Sequence, residues 1–184
     1  MSDQQQNPYA VTLKNVRLRF ENVFTPFKGE GKYSATVMLH KEADKDTIKL
    51  VQGLIKKMLE EEYRGVAVKP AGDKLCLRDG DNSGRAELAG YWTLSASEST
   101  KPVVVHKDRS PLTAEDDVIY PGCFVNVSIN LWAQKSQQWG NRINANLRGV
   151  QFVGAGERFA GSQRYTAEQM FDALDVATEN DPFA

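Results

Sequence analysis

The chain has 184 residues, of which 41% are apolar and 26% charged, and its formal net charge is −1. This size and composition predict one domain with its own core, so that folding needs neither disulfide bonds nor a structural metal ion. The two cysteines lie far apart and there is no Cys/His cluster, which favours a reduced cytoplasmic protein without metal or cofactor. The N-terminus lacks the apolar segment of a signal peptide, and the longest uncharged run, 118–134, alternates with Asn and Ser, which argues against a membrane span.

Residues 1–8 are expected to be disordered, and residues 9–20 form the first predicted strand. Its early apolar positions are out of phase with the later ones, which indicates a bulge near Lys14 and Asn15. Beyond the bulge, one face carries Val16, Leu18 and Phe20, and the other carries Arg17 and Arg19. The two arginines either contact phosphate groups or keep a sheet edge soluble.

A loop is predicted at 21–31, a strand at 32–40 with Lys32 on its polar face, and a long helix at 45–64. Gly65 stands where helices commonly end, and the apolar stripe of the helix is expected to cover a sheet.

Strands are predicted at 75–78 and 86–96, around the sequence DGDNSG. The acids of this segment resemble the start of a calcium-binding loop, but Gly90 stands where a bidentate Glu is needed, so a hairpin turn is preferred. Trp92 shares a face with later apolar residues and is predicted to be buried, which leaves Tyr91 exposed as a candidate stacking residue. A short apolar strand at 103–105 precedes Lys107.

Residues 123–133 and 142–153 are predicted to form two strands joined by the polar connection 134–141. Apolar residues occupy every odd position from 123 to 131, and the second strand repeats the alternation. Since successive side chains of a strand point to opposite faces, each strand has one apolar and one amide-rich side. Trp132 falls on the amide-rich side, where burial in a core does not account for it.

The polar face of this hairpin also carries Phe124, Arg142 and Arg148, with Lys135 and Trp139 in the connection. Rings among guanidinium groups on a solvated sheet suit stacked bases and a phosphate backbone. An ordinary antiparallel sheet with one polar face explains the same pattern.

Residues 162–184 are predicted to hold a short helix at 166–174 and a flexible acidic tail. From 166 onwards there are five acidic residues and no basic one, so 19 acidic residues remain against 23 basic ones elsewhere. A mildly basic body with an acidic tail is expected of a self-regulating nucleic-acid binder, although acidic tails also serve as solubilisers.

About seven short strands and one long helix predict a mainly β protein, with an OB-fold-like antiparallel barrel at 9–161. Five segments in their order along the chain resemble the bacteriophage single-stranded-DNA-binding proteins: KYSATVMLHKEAD, GYWTLSASESTKPVVV, IYPGCFVNVSINLWA, LRGVQFVGAGERFAG and the terminal DPF. The resemblance implies a barrel with a groove for single-stranded DNA (ssDNA). It also implies an acidic tail that recruits replication or recombination proteins and competes with DNA. Tails of this family commonly end in an aromatic residue, whereas Ala184 follows Phe183 here.

We therefore predict a non-enzymatic protein of the host-cell cytoplasm that binds ssDNA without sequence preference during phage DNA replication, recombination and repair. The predicted stacking residues are Trp132, Trp139, Phe124 and Tyr91. The predicted phosphate contacts are Arg142, Arg148, Lys135, Arg17, Arg19, Lys32 and Lys107. The predicted partner-binding residues of the tail are Asp172, Asp175, Glu179, Asp181, Pro182 and Phe183.

Two other classes of function fit parts of the sequence. An oligomerising structural protein would use the amide-rich faces to pair with further copies and would not bind polynucleotides. A nuclease would need convergent carboxylates for metal ions, and the acids available show no recognisable spacing: Asp79, Asp81, Glu115, Asp116 and Asp117.

Overall fold

The computed structural model describes residues 7–159 and Phe171. The predicted C-terminal helix, apart from Phe171, and the acidic tail lie outside the described residues. The described elements are β1 (Ala10–Phe27), β2 (Lys32–His40), α1 (Lys45–Glu62), β3 (Leu77–Asp79), β4 (Tyr91–Glu98), β5 (Val103–Val105), β6 (Phe124–Ser136) and β7 (Gly140–Gly154). No helix of this part of the chain is long and apolar enough to cross a membrane.

Five of the strands close into a barrel. β1 pairs with β2 and β6, β2 with β4, and β6 with β7, all antiparallel. The ring closes through a parallel pair between β4 and β7, in which Ser97 lies opposite Asn146. The order β1-β2-β4-β7-β6 confirms the predicted OB-like barrel, and α1 follows its second strand, as predicted. β3 and β5 extend the sheet beside β4 and β7.

The barrel interior is filled by the apolar side chains that the alternation of the predicted hairpin places on one face. Val125, Val127 and Ile129 of β6 are at most 1% exposed, and β7 contributes Ile143 and Leu147. One face of α1 packs against this core through buried aliphatic and methionine side chains. Both cysteines are buried and free.

Three register shifts interrupt the pairing of β1, the last of them between Asn22 and Phe27, and only the first is predicted by the sequence. The β1–β6 register shifts between Leu13 and Val16, and Asn15 adopts a φ of +53°, which confirms the predicted bulge. The β1–β2 register shifts again between Leu18 and Phe20. An extra residue reverses the alternation of a strand, so Phe20 turns outward and is 53% exposed. The predicted placement of Phe20 on the face of Val16 and Leu18 is therefore wrong. The predicted loop at 21–31 is wrong over 21–27, because β1 continues to Phe27.

The segment between β3 and β4 is also more irregular than predicted. A short 3-10 turn, Ala86–Leu88, replaces the start of the strand predicted at 86–96, and another 3-10 turn, Gly80–Asn82, precedes it. A Cβ atom at Gly80 would lie 2.3 Å from the Leu88 carbonyl oxygen, so the segment folds closely back on itself. Its acids face a lysine, because Lys41 Nζ lies 2.7 Å from Asp79 Oδ1 and 2.5 Å from Asp81 Oδ2. Within residues 7–159, no three His, Cys, Asp or Glu side chains are grouped to hold a metal ion.

Candidate nucleic-acid interface

A cleft of about 470 Å³ opens on the outside of the barrel, across β2, β4, β7 and β6. We call it the Trp132 cleft. It is lined by the basic side chains of Lys32, Arg78 and Arg142, by the hydroxyl groups of Ser34, Thr36, Ser95, Ser97 and Ser99, by the amides of Gln134, Asn144 and Asn146, and by Trp132 and Glu98. Three basic groups against one carboxylate give the cleft a positive lining.

Trp132 owes its position to the alternation of β6. Its neighbour Leu131 is 2% exposed in the core, and Trp132 on the opposite face is 41% exposed. Asn144 lies directly across from it on β7. The indole therefore stands over amide groups at the mouth of the cleft, where a flat ligand can reach it.

The two arginines of the cleft are held by carbonyl groups. Arg142 donates to the Asp73 carbonyl at 3.0 Å, and Arg78 donates to the same carbonyl at 2.9 Å and to that of Leu75 at 3.2 Å. A carbonyl group orients a guanidinium group without neutralising its charge, and each guanidinium has five N–H donors. Both arginines therefore keep charge and donors available for an anion.

Arg78 reaches the cleft because residues 75–77 fill the opening between β4 and β7. Cys76 N donates to the Ile143 carbonyl at 2.9 Å, and Ser95 N donates to the Cys76 carbonyl at 3.2 Å. The segment thus joins the two barrel strands beyond their parallel pair. Nothing in the neighbouring sequence indicates this role for Arg78, because no local pattern reveals a contact between such distant parts of the chain.

The floor of the cleft consists of small hydroxyl groups and amides. Thr36 Oγ1 and Ser95 Oγ lie 2.9 Å apart, and either can be the donor. The Asn144 amide donates to Gln134 Oε1 at 2.9 Å. A hydroxyl group can rotate to donate or to accept, so this floor can satisfy base edges of different kinds.

Tyr63 supports the cleft from beneath. Its hydroxyl lies 2.6 Å from the Gln134 carbonyl oxygen and 2.9 Å from that of Arg142, two residues that are paired across β6 and β7. Burial raises the pKa of Tyr63 above its ordinary value, so the hydroxyl stays protonated as a donor. The end of α1 thereby fixes the base of the hairpin.

Several predicted residues of the hairpin and its surroundings lie outside the Trp132 cleft. Trp139 is at the tip of the β6–β7 hairpin and is 70% exposed. Lys135 points to the opposite face from Trp132, where it pairs with Glu62 at 3.2 Å. Tyr91 makes an edge-to-face contact with His40, with the ring centroids 5.1 Å apart. Arg148 is exposed further along β7.

Phe124 and Arg17 lie opposite each other at the other end of β6, far from Trp132. Arg17 donates to the Glu157 carbonyl at 2.8 Å and stacks on the ring of Phe159, 4.4 Å from its centroid. Its contacts hold the segment that follows β7 against the barrel.

Lys107 lies over the Phe152 ring, and Arg19 pairs with Glu87 at 3.2 Å. Of the residues predicted to contact DNA, the Trp132 cleft brings together Trp132, Arg142 and Lys32.

Comparison with known proteins gives consistent matches. Residues 9–182 match the protein family described as "Enterobacter phage Enc34, ssDNA-binding protein". The putative protein p50 of Acyrthosiphon pisum secondary endosymbiont phage 1 is 35% identical over 187 residues, which cover 95% of this chain and 98% of p50.

Solved structures agree with these sequence matches. The ssDNA-binding protein of bacteriophage Enc34 in complex with ssDNA has a TM-score of 0.73 and 31% identity, over 83% of this chain and 90% of that one. The gp2.5 ssDNA-binding protein of bacteriophage T7, at 17% identity and a TM-score of 0.53 over 85% of this chain and 98% of that one, shows a shared fold alone. The length of the family match and the identity to p50 confirm the resemblance found in the sequence: the chain belongs to the family of the Enterobacter phage Enc34 ssDNA-binding protein.

Proposed function

We propose that this protein binds ssDNA without sequence preference and without catalysis, and that the Trp132 cleft is its binding site. The observation that carries the proposal is the placement of one exposed indole among three basic side chains on the outside of an OB-like barrel. The relative from phage Enc34 that shares this fold has been solved with ssDNA, which supports the same ligand here.

The indole, the basic side chains and the polar floor of the cleft would each contact a different part of the DNA strand. A base stacks on Trp132, and every base has a π-face, so stacking does not select a sequence. Lys32, Arg78 and Arg142 neutralise phosphate groups and release counterions from the strand. The hydroxyl pair of Thr36 and Ser95 adjusts to whichever base edge it meets, since either oxygen can donate.

A titration with oligo-dT tests this proposal directly. We expect quenching of tryptophan fluorescence and a binding constant that falls steeply between 50 mM and 200 mM salt. Duplex DNA of the same length serves as the comparison, and we expect weaker binding because its bases are not free to stack on a ring. Unchanged fluorescence together with affinity indifferent to salt would refute the cleft as a DNA site.

We further propose that the protein protects ssDNA during phage DNA replication, recombination and repair in the host cytoplasm, and that its acidic tail recruits partner proteins. The tail residues put forward for this role are Asp172, Asp175, Glu179, Asp181, Pro182 and Phe183. Support comes from the family membership and from the run of acids without a basic residue.

Deletion of residues 175–184 is expected to tighten ssDNA binding, because an acidic competitor for the basic cleft is removed. The gain should shrink as salt is raised, since salt screens the competition. A full-length variant with its tail acids changed to Asn or Gln separates charge from length and should show the same gain. Affinity unchanged in both proteins would leave the tail without a competing role.

A further inference from the structure

A second cleft, of about 630 Å³, adjoins the Trp132 cleft on the outside of the barrel. We call it the Phe20 cleft, and its lining includes Arg19, Phe20, Arg78, Arg85 and Trp92. Four residues line both clefts: Thr36, Leu75, Arg78 and Ser95. The two clefts therefore form one continuous groove with Arg78 at their junction.

Phe20 is an exposed ring with a rigid support. The Arg19 guanidinium lies over the ring, 4.6 Å from its centroid, and is itself held by Glu87 at 3.2 Å. The side chain of Arg19 is only 13% exposed, whereas Phe20 is 53% exposed. The ring is thus in contact with a paired cation, and about half of its surface is accessible to a flat ligand.

The charges of the Phe20 cleft also suit a nucleic-acid strand. Arg85 has 62% of its side chain exposed, and Arg78 adds a second guanidinium group. Of the two carboxylates in the lining, Asp79 is paired with Lys41 at 2.7 Å. The other is Asp73, so the lining holds three guanidinium groups, those of Arg19, Arg78 and Arg85, against two carboxylates.

We propose that the Phe20 cleft is a second base-stacking subsite, occupied by the same DNA strand that enters the Trp132 cleft. This inference rests on the proposed function. The path from Trp132 on β6 to Phe20 on β1 crosses β7, β4 and β2, which at about 4.8 Å between strands is about 19 Å. A strand stacked at about 3.4 Å per nucleotide covers that path with about six nucleotides. Such a length falls within the roughly 4–16 nucleotides that one OB fold binds.

Phe20→Ala tests the subsite, with Phe27→Ala as the matched control. Both phenylalanines lie on β1 and are 53% exposed, and Phe27 lines neither cleft. We expect Phe20→Ala to weaken dT12 by about tenfold, in line with the loss of one stacked base. We expect no change for dT3, which is too short to span both rings, and no comparable loss with Phe27→Ala. The readout is the anisotropy of labelled oligonucleotides.

The two proposals fail in different ways. Full dT12 affinity in Phe20→Ala, or an equal loss in Phe27→Ala, would overturn the second subsite alone. A loss in Phe20→Ala without one in Trp132→Ala would instead refute the Trp132 cleft as the main site. Phe20→Leu keeps apolar bulk without a ring and should show the same loss as Phe20→Ala, which separates stacking from any effect on folding.

Discussion

Replacement of Trp132 by alanine is expected to weaken oligo-dT binding by about 1–3 kcal/mol, or roughly 5- to 150-fold. The indole is 41% exposed and makes no part of the core, so its loss removes a stacking surface and leaves the barrel intact. The loss should be similar for oligo-dT, oligo-dA and oligo-dC, because stacking does not select among bases. Anisotropy of labelled oligonucleotides measures the affinity, and circular dichroism checks that the melting temperature is unchanged.

Trp139→Ala provides the matched control. Trp139 is 70% exposed at the tip of the same hairpin, outside the Trp132 cleft, so a smaller loss is expected. If the two variants lose affinity equally, the strand runs over the hairpin tip as well. If only Trp139→Ala loses affinity, the Trp132 cleft is not the binding site.

The double substitution Arg78→Gln and Arg142→Gln is expected to weaken ssDNA binding about 25-fold at 0.1 M salt. Each lost phosphate contact makes the slope of log K against log salt less negative by about 0.7, so the pair should reduce its magnitude by about 1.4. Glutamine keeps a donor for the Asp73 carbonyl, which both arginines contact, so the local fold is retained. Titrations at four salt concentrations give the slope.

Arg148→Gln is the control for charge alone. Arg148 is exposed on β7, the strand that also carries Arg142, but it does not line the Trp132 cleft. Its removal should leave the slope nearly unchanged. A salt slope whose magnitude decreases equally in Arg148→Gln and in an Arg142→Gln single variant would show that net charge, and not the cleft, governs binding.

The alternation of apolar residues predicts the barrel core and the outward position of Trp132, because successive side chains of a regular strand point to opposite faces. Phe20 escapes the same reasoning, since the register shift after Leu18 reverses the faces of β1. The position of Lys135 follows from the alternation of β6. Its odd number places it on the face of Ile129 and Leu131, away from Trp132.

Alternation within one strand does not predict contacts between distant segments of the chain. Arg78 enters the cleft only because residues 75–77 bond to both β4 and β7. The OB-like topology is predicted by the resemblance of whole segments and by the number of strands, because these features depend on the order of elements along the chain.

The parallel pair of β4 and β7 that closes the barrel is short, with Ser97 opposite Asn146. Both residues line the Trp132 cleft, as do Ser95 on one side and Asn144 on the other. A bound DNA strand would therefore contact both β4 and β7 and stabilise the pair between them. Binding should slow amide hydrogen exchange along these two strands first. In the protein without DNA, local opening of the barrel would then begin at the β4–β7 pair, where the strand binds.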